Sequence, residues 1–215
     1  GPRLDSRGRL PKRIGAEHLK KIWDATSQNR NDYQQHLSLA VLALLYGTGL
    51  RRGELERLDL EDWKREEGLL KIDGRKTGQE RSVPVSEGIW RCLEAYLPLR
   101  QNVLEQHGAS EEPALLLNRN GQRMRAQVLG LMIHRLARKA AVPLVSLHQF
   151  RHTCASDLLE SGVGLPQVQQ ILGHATVQTT TRYLQIADPE RARAIAKHPL
   201  NDYLGVSEQI QGRAA

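Results

Sequence analysis

The chain has 215 residues, of which 40% are hydrophobic and 26% charged. That length can bury a core without staples, and two cysteines, Cys92 and Cys154, are too few for a disulfide framework, which points to a reducing compartment. A formal charge of +7 favours a polyanionic partner, nucleic acid ahead of an anionic membrane, and no apolar run reaches the roughly eighteen residues a membrane span requires.

Residues 1–14 hold Gly, Pro, Arg and Lys without periodicity and read as a basic arm or linker, with Gly1-Pro2 resembling a remnant of tag removal. Helical spacing begins near Ala16 and puts Leu19, Ile22 and Trp23 on one face. A second helix is predicted from Asp32 to Tyr46, apolar enough to be central, with Gly47 and Gly49 stopping it. A short helix follows over Arg52–Leu58. Leu69–Ile72 and Arg81–Val85 read as strands around a turn at Gly74–Gly78, with a third strand near Leu60–Trp63. Pro84 favours an edge position for the last of these.

Helical patterning resumes over Glu87–Gln106 with a break expected near Pro98. Asn118–Gly121 is a turn, Val128–Ala141 a helix ended by Pro143, and Ser146 a candidate N-cap for a helix reaching Leu159. Gly162 and Gly164 end that helix. Short helices are expected over Pro166–Leu172, Val177–Leu184 and Pro189–Ala196, and a weak amphipathic segment over Asp202–Ile210. The predicted fold is mainly α with one small antiparallel three-stranded β-sheet, an α+β arrangement. Its boundaries are an arm at 1–14, one domain at 15–198 and a tail at 199–215.

Four segments carry chemistry. His148 and Arg151 are three apart at a helix start, where backbone N–H groups and the helix dipole favour an anion. Leu172-Gly173-His174 is followed nine residues later by Tyr183. Thr48-Gly49-Leu50-Arg51-Arg52-Gly53-Glu54 sets an arginine where one helix ends and the next begins, with Glu54 able to fix its guanidinium. Lys76 sits on the hairpin turn. Each alone has a plainer explanation: a solvated helix start, a satisfied core tyrosine, a surface ion pair, a turn lysine.

In this order and spacing, however, the segments resemble the catalytic domain of the tyrosine recombinases, the phage-integrase and Xer-like family, over about residues 14–190. The Gly-Leu-Arg frame and the spacing to Glu54 favour Arg51 over Arg52. The turn position before Thr77-Gly78 favours Lys76 over Lys71 and Arg75. The resemblance implies a catalytic set of Arg51, Lys76, His148, Arg151, His174 and Tyr183, supported by Glu54 and His152. Tyr183 would attack a phosphodiester to form a 3′-phosphotyrosyl bond and release a 5′-hydroxyl. Arg51 and Arg151 would grip the non-bridging oxygens, His148 and His174 would serve the phosphate and the tyrosine proton, and Lys76 would protonate the leaving oxygen.

No cofactor, metal ion or ATP is implied. The implied partners are double-stranded DNA and, on synapsed DNA, further copies of the chain as a homo-tetramer, with a monomer free in solution, no membrane, and a cytoplasmic, nucleoid-associated setting in a prokaryote or phage. The segment Asp202–Ile210 is a candidate docking helix for a neighbouring subunit. The helical N-terminal DNA-binding domain of the family is not found before Ala16, which implies weaker and less selective DNA binding. Three alternatives compete: a metal site of His148, His152 and Cys154 with His174, a non-catalytic DNA-binding regulator, and a type IB topoisomerase-like enzyme that relaxes DNA.

Overall fold

The apolar run of the second predicted helix sets the architecture. In the computed structural model, which describes residues 13–74, 80–109, 111–173 and 198–200, this helix is α2 (Asp32–Thr48). Every residue from Ala40 to Thr48 is buried, so α2 has no solvent face over its last turns. Such all-round burial marks an internal helix. It packs against α1 (Ala16–Ser27), α4 (Glu87–His107) and α6 (Leu147–Glu160). The remaining elements are α3 (Arg52–Arg57), α5 (Ala126–Lys139), α7 (Leu165–Leu172) and three strands, β1 (Trp63–Lys64), β2 (Leu69–Ile72) and β3 (Arg81–Pro84). The result is mainly helical with one small sheet, as the patterning predicts.

The strands pair antiparallel in the order β1-β2-β3, so β3 and its Pro84 lie at an edge. Leu70 opposite Val83, with Ile72 beside them, gives a fully buried face. The segment expected as the third strand is mostly a 3-10 turn over Leu60–Asp62; only Trp63 and Lys64 pair.

Two expectations need correction. Pro98 does not break α4, which runs unbroken from Glu87 to His107. Pro98 faces solvent, where the carbonyl it leaves without a partner can turn to water. The residues flanking it are anchored: the Tyr96 hydroxyl accepts from Leu117 N at 3.0 Å, and Arg100 Nε donates to Ala114 O at 2.9 Å. Likewise Gly47 does not stop α2 but lies inside it. A Cβ there would stand 2.6 Å from Ile89 Cδ1 and 2.9 Å from Leu200 Cδ2, so the glycine permits close approach of α4 and of the segment at Leu200. Gly49 is the true stop, in the left-handed conformation at φ +61° with its N–H returned to Leu45 O.

Two contacts bear on the predicted boundaries. Ile14, assigned to the arm, is buried and donates its N–H to Thr153 Oγ1 at 3.0 Å, while Arg13 bridges Asp157 and Glu160 of α6. At the other end, Leu200 is fully buried and His198 packs edge-on against Tyr46, with ring centroids 4.4 Å apart. The helices expected over Val177–Leu184, Pro189–Ala196 and Asp202–Ile210 lie outside the described residues.

Burial pushes the His198 imidazole down to about 3, a backbone contact with Tyr46 only partly opposing it. Between its unfolded value near about 6.5 and the folded value, the unfolded chain takes a proton that the folded chain refuses, so this stability is lost as pH falls. Urea unfolding should therefore show a loss of about 2 kcal/mol between pH 7 and pH 5 in the native chain. The loss should largely vanish in His198→Gln; equal slopes in both proteins would refute the assignment.

Candidate active site

The site grows from a helix stop followed at once by a helix start. Gly49 ends α2, Leu50 is buried, and Arg51 is the N-cap of α3 in extended conformation. Glu54, at the third position of α3, reaches back so that its Oε2 accepts the Arg51 backbone N–H at 2.8 Å. This is the carboxylate half of a capping box, and it explains the three-residue spacing. The other oxygen, Oε1, accepts Arg51 Nη1 at 2.8 Å, so backbone and side chain of Arg51 are fixed by one carboxylate.

Arg151 rises from the second turn of α6. Its helix starts with Ser146, whose hydroxyl accepts Gln149 N at 3.2 Å while Gln149 Oε1 accepts Ser146 N at 2.8 Å. Arg151 is 6% exposed, with Nη1 donating to Gly49 O and Nη2 to Leu172 O, both at 2.6 Å. Burial, then the neighbouring charges of Arg51 and Arg81, lower its guanidinium to about 10, Glu54 opposing, and it stays charged at neutral pH.

The C-terminus of α7 closes the arrangement. The last carbonyls of a helix lack intrahelical partners and carry the negative end of its dipole. Here three arginines from three elements meet them: Arg81 Nε on Ile171 O at 2.9 Å, Arg151 Nη2 on Leu172 O at 2.6 Å, and Arg51 Nη2 on Gly173 O at 2.7 Å. Each such cation contributes about 0.3–1 kcal/mol, rising to about 2 in partly buried geometry. Gly173 turns left-handed at φ +62°, and a Cβ there would sit 2.7 Å from Arg81 Nη1. The glycine of Leu172-Gly173-His174 thus serves both the turn and the arginine packing.

Arg81 is the residue that sequence patterning missed. Its Nη1 and Nη2 grip Glu54 Oε1 and Oε2 at 2.9 and 3.0 Å. Burial works against the Glu54 charge, but the bonds and charge of Arg81, joined by those of Arg51, hold its carboxyl at about 2. Three guanidiniums around one carboxylate leave two positive charges in excess, a setting suited to an anion.

Of the predicted residues, Arg51, Glu54 and Arg151 are brought together. His148 is exposed on the first turn of α6 and His152 half-buried on the next. Lys76, His174 and Tyr183 lie outside the described residues. Of the alternatives to Lys76, Lys71 is paired with Glu80 at 3.0 Å and Arg75 lies outside the described residues. Among the described residues, His148, His152 and Cys154 form no metal-ligating group: Cys154 is fully buried against Gly49, where its Sγ would lie 3.3 Å from an added Cβ, while His148 is exposed.

Comparison with known proteins places the chain in a family. The phage integrase family matches residues 12–190. The chain belongs to that family. Among its relatives, the tyrosine recombinase XerC of Corynebacterium glutamicum is 33% identical over 192 residues, covering 88% of this chain. The chain spans only 60% of that protein's length. Of the solved structures, a XerA recombinase superposes with a TM-score of 0.67 at 27% identity, over 91% of this chain and 68% of the other. A XerH site-specific recombinase, solved bound to difH substrate, shares the fold with a TM-score of 0.64 at 22% identity, over 93% of this chain and 53% of the other.

The close packing makes two glycine substitutions diverge. Gly49→Ala would bring a Cβ within 2.3 Å of Leu172 Cδ2 and strain φ, and should destabilise by about 2–4 kcal/mol in urea unfolding. Gly130→Ala on α5, where nothing lies within 4 Å, should stabilise by about 0.5–1 kcal/mol. Equal effects would contradict the packing at the α2–α7 contact.

Proposed function

We propose that this chain is the catalytic portion of a site-specific DNA recombinase that cuts and rejoins strands through Tyr183. The observation that carries the proposal is the convergence of Arg51 and Arg151, set 100 residues apart in sequence, on the end of α7, two residues before His174 in the case of Leu172. Membership of the phage integrase family and the ordered spacing of Lys76, His148, His174 and Tyr183 support it.

Tyrosine ionises near about 10 in water, so the attack of its oxygen on phosphorus needs positive surroundings and a proton acceptor. Arg51 and Arg151 supply the charge, and their planar forks suit two non-bridging oxygens as the transition state gains charge. His148 accepts the tyrosine proton or donates to the phosphate, and His174 adds a hydrogen bond. Lys76 gives a proton to the departing 5′-oxygen. The phosphotyrosyl ester retains the bond energy, so the released hydroxyl, or one from a partner strand, reverses the step without ATP. Glu54 orients Arg51, and His152 supports Arg151 from the next position. No step calls for a metal ion, because the guanidiniums carry the electrostatic load. Double-stranded DNA in a prokaryotic or phage cytoplasm, read by a tetramer on two duplexes, completes the proposal, with residues 15–198 as the catalytic domain, into whose core Ile14 and Leu200 also pack, and the segment after Leu200 as a tail that docks on a neighbour.

A pool of nicked duplexes with randomised cores tests it. The native chain should form a covalent protein–DNA adduct that persists in EDTA, and Tyr183→Phe should form none. An adduct undiminished in the Phe variant would overturn the proposal.

A further inference from the structure

Arg81 has no part in the reaction proposed above, yet its side chain is 7% exposed at the edge of a sheet, where an arginine would ordinarily extend into water. All three of its nitrogens are hydrogen-bonded: Nη1 and Nη2 to the two oxygens of Glu54, and Nε to Ile171 O. Each Glu54 oxygen therefore takes one bond from Arg81 and one from Arg51. Arg51 then passes to Gly173 O, two residues beyond the carbonyl that Arg81 holds. The bonds close a ring through Glu54, Arg51, the end of α7 and Arg81.

We propose, on the basis of the recombinase reading, that Arg81 is a positioning residue that holds Glu54 and the α7 terminus in register, and so aims Arg51 at the reacting phosphate. Two physical effects follow from the ring. The first is geometric. Glu54 could swing with Arg51 if it bound Arg51 alone; fixed on its other side by a planar fork, it becomes a rigid mount. The second concerns charge. With Arg81 present, Glu54 is shared, and Arg51 and Arg151 keep an excess of positive charge; without Arg81, Glu54 would neutralise Arg51 alone. The charged groups facing Glu54 are Arg51, Arg81 and Arg151. Arg81 also opens β3, five residues after Lys76 in the sequence, so the same ring ties that strand to the arginine pair. A lysine at 81 would restore charge but not the fork, since an ammonium cannot span two carboxylate oxygens and a carbonyl in one plane.

The test compares the native chain with Arg81→Gln, Arg81→Lys, Glu54→Gln and the double variant Arg81→Gln/Glu54→Gln, folding being checked by circular dichroism. Single-turnover adduct formation is measured at saturating nicked duplex, DNA affinity separately, and the Glu54 carboxyl is titrated by carbon NMR without DNA. Arg81→Gln should slow adduct formation by about 10–100-fold with affinity nearly unchanged. Arg81→Lys should fall between it and the native chain, and the double variant should be no slower than the slower single one. The Glu54 titration should move up from near 2 in Arg81→Gln. Multiplicative losses in the double variant, an unchanged rate, or an unmoved Glu54 titration would each overturn the proposal. If Arg81→Gln fails to fold, Arg81→Lys decides on the same readouts. A native chain that forms no adduct would sink the recombinase reading instead, and the DNA-free titration would still decide the role of Arg81.

Discussion

A single buried carboxylate holds the site together. Glu54 is 3% exposed, and such a charge survives out of water only when it is paired and fully hydrogen-bonded. Two arginines meet that need, and both go on to cap the same helix end. Removing one partner from such a buried pair typically costs about 3–5 kcal/mol, because the charge left behind has no replacement. Each partner therefore depends on the others, which suits a group that must present a guanidinium at a fixed point. Arg151 joins from a third direction, bonded to Gly49 and Leu172 carbonyls, so the stop of α2 and the end of α7 share one cation.

The rest of the fold serves this junction. Helix α2 runs through the interior and ends at Gly49, whose missing Cβ admits Leu172 and Cys154. Helix α6 is tied along its length, by the Tyr46 hydroxyl donating to Asp157 Oδ2 at 2.5 Å and by Arg13 and Ile14 at its far side. These contacts fix the base of α6 from which Arg151 projects. Catalytic electrostatics work by dipoles and charges already in place before reaction, and rigid mounts of this kind are how a helical fold supplies them.

What the amino-acid sequence reveals, and what it hides, follows the range of each interaction. Arg51 with Glu54, Ser146 with Gln149, and the stop at Gly49 are readable because their partners lie within one helical turn. Helix α1 and strand β2 begin where their periodicity begins. Gly47 misleads because Ile89 and Leu200, which need its bare backbone, are remote in the chain. Pro98 misleads because anchoring at Tyr96 and Arg100 overrides local propensity. Arg81 is invisible for the same reason: its partners, Glu54 and Ile171, lie 27 and 90 residues away, and on a short strand it resembles any solvated charge.

The central claim is that this basic junction serves a tyrosine that bonds covalently to DNA. Mapping the bond tests it most directly: adducts from the native chain are digested with nuclease and protease, and the nucleotide-bearing peptide is sequenced by mass spectrometry. The nucleotide should be found on the Tyr183 side chain as a 3′-phosphate ester. A nucleotide mapped to any other residue, or a 5′-linkage, would contradict the account.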